Sequence, residues 1–313
     1  MSEIFNAGLL QSMLNMAAPV LLAALGCLMT DHVGIMNIGV DGIMLIGAFF
    51  GMLGSYLTGS AWLGVLLAAG AGVVLGLIYY VFVISFGSDE FIIGVALNIF
   101  AGGLTVFLLS MLFGNKGASP RVGKLPSLHW DALDRIPVIG PLLNDNTPLV
   151  YIGLILVLVC YLFIYKTPRG FWLRAAGEHP ESLRAAGRSP ERMKCLASVL
   201  CGVLAAVAGA HLSLGEMDFF SKNMTASRGY VAVACVIFGM SSPPKVLLAA
   251  LLFGFLDALG IRLQSAYPDF EGLSNLTSMA PYVVTVGVMV LLALVRRGRA
   301  RKKARVAAVQ SRG

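Results

Sequence analysis

Long apolar runs separated by short polar punctuation set the pattern of this chain. They recur near 8–30, 33–57, 61–84, 91–113, 149–165, 195–215, 245–263 and 279–295, with a shorter apolar stretch at 229–242. A helix needs about 20 residues, rising 1.5 Å each, to cross a hydrocarbon layer roughly 30 Å thick. In that medium the backbone must satisfy its own hydrogen bonds, which a single run achieves only as a helix. The expected fold is all-α: a polytopic transmembrane bundle of about nine spans (eight to ten), with no soluble domain large enough to hold a core.

Composition agrees, with 58% hydrophobic residues and a mean hydropathy of +0.83. Charge adds direction. Of 23 Lys and Arg, seven fall in the 29 residues 166–194 and eight between Arg296 and Arg312. Cationic excess marks loops that stay inside, so both regions are expected to be cytoplasmic. Parity then places 114–148 and Glu216–Arg228 outside and runs 8–30 inward from an external amino terminus. The tail is inside only if the short 229–242 stretch also crosses. The domain reading is one transmembrane domain, 1–295, followed by a basic cytoplasmic tail, 296–313. The net charge of +7 is explained by these two regions and by anionic lipid, not by nucleic acid. The first seven residues lack the basic region of a cleaved signal, so the first run reads as mature helix. The five cysteines all lie in or beside apolar runs without metal spacing and read as packing residues.

Within the 166–194 loop, Pro180 to Gly187 reads as a short helix. Proline stands at its start, Glu181 complements the positive end, and Gly187 suits a left-handed terminus. A compact helix offered to the cytosol between two spans is what a membrane subunit needs to engage a soluble motor. Glycines inside the runs, such as Gly47, Gly51, Gly54, Gly70, Gly72 and Gly76, read as close-packing seams. A faint internal echo links the Gly34–Gly47 segment with Gly229–Gly239.

Few residues carry chemistry. Asn37 and Asp41 lie four apart and, on a helix, would share a face with Gly34, Met44 and Ala48. A carboxylate at membrane depth costs about 2.5–3.5 kcal/mol on insertion scales and is a functional candidate by default. Asp41 can either line a solute path or cap a broken helix, since Gly39 and Gly42 make a break plausible. Asn98 forms a small polar stripe with Gly94, Gly102 and Thr105, open to either interhelical bonding or a path. Asp257 and Arg262 are a poor helical pair. Glu216, Asp218, Lys222 and Arg228, with Phe219, Phe220 and Tyr230, could form an outer docking surface or a solvated loop. His211, alone in its span, reads as a hydrogen-bonded packing residue. The chain contains no Gly-x-x-x-x-Gly-Lys-Ser/Thr phosphate loop and no nucleophilic or metal constellation, so an enzyme is disfavoured.

Three stretches carry a resemblance that covers nearly the whole chain. These are Gly34-x-x-Asn37-Ile38-Gly39-x-Asp41-Gly42-x-Met44-x-x-Gly47-Ala48, Gly177-Glu178-x-Pro180 through Ala185-x-Gly187, and Met224-Thr225-x-x-Arg228-Gly229-Tyr230 through Ile237-Phe238-Gly239. They resemble the membrane subunits of bacterial ABC importers in the branched-chain amino acid, simple sugar and nucleoside permease family, particularly the nucleoside and simple-sugar branch. Two departures stand out: Asp41 replaces the branch's usual Glu, and Ser227 stands where glycine is common. The resemblance implies a multi-pass inner-membrane permease without its own ATPase site. ATP and Mg would belong to a partner ABC ATPase subunit. A second permease subunit, identical or paralogous, and an extracytoplasmic binding protein would complete the transporter. Glu178, Pro180, Glu181, Arg184, Ala185 and Gly187 would couple to the ATPase. Asn37, Asp41, Asn98 and Thr105 are the expected pathway residues, and Phe219, Met224, Thr225, Arg228 and Tyr230 the expected outer docking or gating residues. Nucleosides or simple sugars are the expected solutes, with branched-chain amino acids or another small polar solute as alternatives. An ion-coupled secondary transporter is the reading from another class. It would need several buried acids, of which only Asp41 and Asp257 qualify, and it would have no use for the helix at 180–187.

Overall fold

The computed structural model describes residues 7–129 and 144–266, with the single positions Val283 and Gly287. The expected run 279–295, except those two positions, and the whole basic tail lie outside the described residues. The chain divides into two compact units, Met1–Ala258 and Leu259–Gly313. The described part is helical, apart from two isolated bridges, Ala118 with Ser221 and Leu128 with Asn146.

The helices are α1 (Ala7–His32), α2 (Val40–Thr58), α3 (Ala61–Tyr80, continued by a π-helical turn Val81–Ser85) and α4 (Glu90–Phe113). After the connection that follows α4 come α5 (Pro148–Lys166), α6 (Pro168–Glu178), α7 (Pro180–Ala185) and α8 (Pro190–His211, extended by a π-helical turn Leu212–Glu216). Then follow α9 (Arg228–Phe238) and α10 (Pro243–Ala266). Among the described residues, seven helices, all but α6, α7 and α9, are long and apolar enough to cross a membrane.

Helix α8 is the hub, with α1, α2 and α3 packed around it. Small residues make this possible. A Cβ added to Gly72 would overlap the Gly202 carbonyl, and one added to Gly202 would overlap the Gly72 carbonyl, so α3 and α8 touch backbone to backbone. Gly47 of α2 meets Ala206 and Gly51 meets Ala210 further along the hub. Such contact gains dispersion where water exclusion offers nothing. Gly70 faces open space, so it alone of the six expected seam glycines has no packing neighbour within 4 Å.

Two expectations are corrected. The run beginning at 33 is not helical throughout: α1 ends at His32, residues 33–39 form a break, and α2 starts at Val40. Asn37 therefore sits in the break and shares no helical face with Asp41, Gly34, Met44 or Ala48. The segment Glu216–Arg228 is also not wholly a loop on the outer surface. After the end of α8 the chain turns back into the bundle, where Thr225 is fully buried. Helix α9, 11 residues and hence about 16 Å long, then carries it on to Ser241, which donates a hydrogen bond to Asp31 near the end of α1. At 11 residues α9 is too short to cross a membrane by itself.

Candidate functional site

The site begins with the break. Its backbone is pinned from several sides: Glu90 Oε2 accepts from the Met36 amide at 3.0 Å, and Tyr79 Oη donates to the Met36 carbonyl at 3.3 Å. Asn37 is buried; its Oδ1 accepts from the Gly39 amide at 3.0 Å and its amide group contacts Cys201 Sγ at 3.5 Å. Asn98, two turns into α4, uses its whole amide. Oδ1 accepts from Gly42 N–H at 2.7 Å, and Nδ2 donates to the Ile38 carbonyl at 3.1 Å and to Tyr230 Oη at 2.8 Å. The amide and carbonyl groups freed by interrupting a helix are thus taken up by side chains, as apolar surroundings require.

Asp41, in the first turn of α2, ties this break to the second one. Its Oδ1 accepts from Gly229 N–H at 3.0 Å and its Oδ2 from Thr225 Oγ1 at 3.2 Å. The carboxylate caps the amino end of α9, where the helix dipole and free amides favour negative charge. Only glycine fits at 229, because a Cβ there would overlap the Asp41 backbone. The two segments joined by the sequence echo are the two whose helix starts meet here.

Helix α9 is articulated at both ends. Of the six non-glycine residues at positive φ among the described residues, Asn223, Ala226 and Ser227 precede it and Met240 and Ser241 follow it. Each costs of order 1–2 kcal/mol for an L-residue and is held only by its surroundings. One side of α9 is open, with Tyr230 43% exposed.

At the end of the bundle where α1 stops, α6 lies across the break: a Cβ on Gly177 would overlap the His32 carbonyl and crowd the Gly34 amide. The expected short helix is present as α7, with Pro180 and Glu181 in its first turn and Gly187 at φ 74°. It is exposed except for Leu183 and is tied to its surroundings by Arg184, which pairs with Glu191 at 2.5 Å and Glu181 at 2.8 Å. The hydrogen bond that Arg184 donates to Glu191, then both negative charges, push the Arg184 pKa above its ordinary value. Ser189 Oγ caps α8 by accepting from the Arg192 amide, and Arg188 stacks over Trp172 at 4.1 Å.

The remaining expected residues are scattered. Thr105 is buried and donates to the Ala101 carbonyl of its own helix. Phe219 and Met224 are half-buried along the returning segment, whereas Thr225, Arg228 and Tyr230 belong to the α2–α9 junction. Glu178 and Ala185 are exposed on the α6–α7 surface. His211 is hydrogen-bonded to Thr147 at 2.8 Å. The sequence reading missed the Ser241–Asp31 link, for which it holds no spacing signal. It also missed the joining of Asn98 to Tyr230, 132 positions apart.

Residues 9–294 match the model of the branched-chain amino acid transport system permease component family. This chain belongs to that family. The permease is 33% identical to a Haloferax volcanii protein provisionally named a glucose ABC transporter permease, over 91% of each chain. It is 31% identical to a guanosine ABC transporter permease of Bacillus subtilis, over 86% of this chain and 87% of the relative. A nucleoside ABC transporter permease of Lactococcus lactis subsp. cremoris is 29% identical over 90% of each. No solved structure is significantly similar to the permease. Family and helices together make it a multi-pass membrane protein that acts as an ABC transporter permease subunit.

Proposed function

We propose that this permease is the membrane subunit of an ATP-driven importer of nucleosides or simple sugars. In the assembled transporter it would pair with a second permease subunit and sit on ABC ATPase subunits that hold ATP and Mg. An extracytoplasmic binding protein would deliver the solute. Residues 1–295 form the permease unit in this reading, the 166–194 loop and the 296–313 tail are cytoplasmic, and the ninth span lies within 279–295. The surface of α6 and α7, with Glu178, Pro180, Glu181, Arg184, Ala185 and Gly187, receives the motor's stroke.

One observation carries the mechanism: α6 abuts the start of the 33–39 break at Gly177, and the other end of that break holds α9 through Asp41. A push on α7 is passed through α6 to the break and changes the seat of α9, which gates the path. Thr225, Arg228 and Tyr230 move with the gate, while Asn37 and Asn98 hold its frame. ATP biases a two-state contact; the permease needs no site of its own for the nucleotide. Relatives named for guanosine, nucleosides and glucose favour those solutes over branched-chain amino acids.

The test is ATP-dependent uptake in proteoliposomes containing the neighbouring ATPase and binding protein, with labelled guanosine, uridine, ribose and glucose. A Glu178→Ala, Gly187→Pro double variant is expected to insert normally and lose uptake. Uptake that persists without the ATPase would refute the reading and favour ion coupling.

A further inference from the structure

A cavity of about 320 Å³ lies outside the Asp41 junction itself, at the end of the bundle opposite α6 and α7. Its lining includes Asn15 from α1, Lys124 and Ser127, Asp145 and Thr147, and Glu216 at the last turn of α8. The volume falls in the roughly 300–1,000 Å³ range of small-molecule pockets. The Glu216 side chain is only 12% exposed. Its Oε1 is sealed from solvent 4.0 Å from His211 Nδ1, neither atom having a hydrogen-bond partner among the described residues, which leaves Oε2 to face the cavity that Glu216 lines. Lys124 Nζ is fixed beside it by donating to the Glu216 carbonyl at 3.1 Å. The π-helical turn that carries Glu216 is itself a geometry concentrated at functional sites.

Resting on the function proposed above, we infer that this cavity is an entry subsite for the hydroxylated ring of the solute, with Glu216 accepting from a vicinal diol. Guanosine, other nucleosides and glucose, for which the relatives are named, share that diol. A carboxylate accepting from ribose hydroxyls is an established solution to this recognition problem. Lys124 and Asn15 supply donors to ring and hydroxyl oxygens. No aromatic ring is among the described residues lining the cavity. The cavity adjoins the gate: Met16, which also lines it, is touched by Arg228 at the start of α9 at 3.9 Å.

The experiment uses Ser127→Cys in the complete transporter in proteoliposomes, labelled with a membrane-impermeant maleimide; the native chain, with four of its five cysteines buried, is the blank. Millimolar uridine and ribose are expected to slow labelling, and 2′,3′-dideoxyuridine is not. Adding Glu216→Gln, which keeps the shape but not the charge, should weaken uridine protection about tenfold, the loss of one hydrogen bond to a charged group. Its labelling rate without solute should match that of S127C alone, which checks the fold. Equal labelling under all solutes, or equal protection by dideoxyuridine, overturns the diol assignment. S127C transporter that takes up uridine while remaining unprotected fails the cavity alone. Absence of ATP-driven uptake of every nucleoside and sugar fails the function instead, and the protection data still decide the cavity.

Discussion

Gly229→Ala is the sharpest perturbation of the α2–α9 junction. The added methyl group would lie 2.6 Å from Asp41 Cβ and closer still to the Asp41 backbone, where ordinary contact begins at 3.4 Å. Backbone cannot yield as a flexible side chain can, so α9 must retreat by about 1 Å, as overpacked cores force backbone shifts. That stretches the Gly229 N–H to Asp41 bond from 3.0 Å beyond hydrogen-bonding range. Losing a charge-assisted bond costs about 1.5–3 kcal/mol, and the carboxylate left short of donors adds to it. The closed seat of α9 should therefore weaken by about 10- to 100-fold. The assay is ATP-dependent uptake alongside the thermal midpoint of the purified protein, for Gly229→Ala, Asp41→Asn and the pair. Because both single changes remove the same bond, the double variant should be little worse than Gly229→Ala alone. Additive losses would refute the reasoning, since they would mean that Asp41 acts through something other than the Gly229 amide.

Other changes probe other parts of the chain. Gly202→Val should lower the thermal midpoint and the yield, because it wedges α3 from α8 at a cost of about 1–3 kcal/mol or more, whereas Gly70→Val, with open space around it, should be silent in the same assay. Leu183→Asp puts an unpaired charge where the only buried side chain of α7 sits, and uptake should fall at least about tenfold with little change in the midpoint of the bundle. Arg184→Glu should weaken co-purification with the ATPase, and adding Glu191→Arg should restore it by rebuilding the pair seen at 2.5 Å. Asp41→Glu keeps the charge but pushes the carboxylate outward by one methylene, so uptake should drop less than in Asp41→Asn.

Most of the helical architecture was legible because the runs are long and their boundaries are marked by residues with one physical meaning. Pro148, Pro168, Pro180 and Pro190 each open a helix, and Gly59 and Gly114 close two others in the left-handed conformation. The break at 33–39 was only half legible. Glycines at 39 and 42 signalled it, but the apolar residues around them kept the hydropathy of an unbroken span. What the sequence withheld was pairing. Asp41 meets Thr225 and Gly229 from 184 and 188 positions away, and nothing in local periodicity encodes which distant amide a carboxylate will cap. For the same reason Glu216 read as part of an exposed loop: Lys124 and Thr147, which line the same cavity, come to it from two other places in the chain, and His211 lies a turn earlier on its own helix.

The break matters because it holds both ends of α9 at once. Asp41, just after the break, takes the amino end of α9 at Gly229; Asp31, just before it, takes the carboxyl end through Ser241. The helix thus lies clamped between two carboxylates on one short stretch of chain, and that stretch is the one α6 touches at Gly34 and His32. For a rod of about 16 Å, a tilt of only 10° moves one end by about 3 Å, enough to part either hydrogen bond. A continuous span through 33–57 could not behave this way, because a push on its end would have to shift some 20 hydrogen-bonded residues against α8. Breaking the helix localises the response to a few residues whose polar groups are satisfied by side chains, and side-chain bonds can be exchanged without unwinding a helix. Asp41 has the geometry of a clasp: its two oxygens are occupied by α9 and its neighbouring turn.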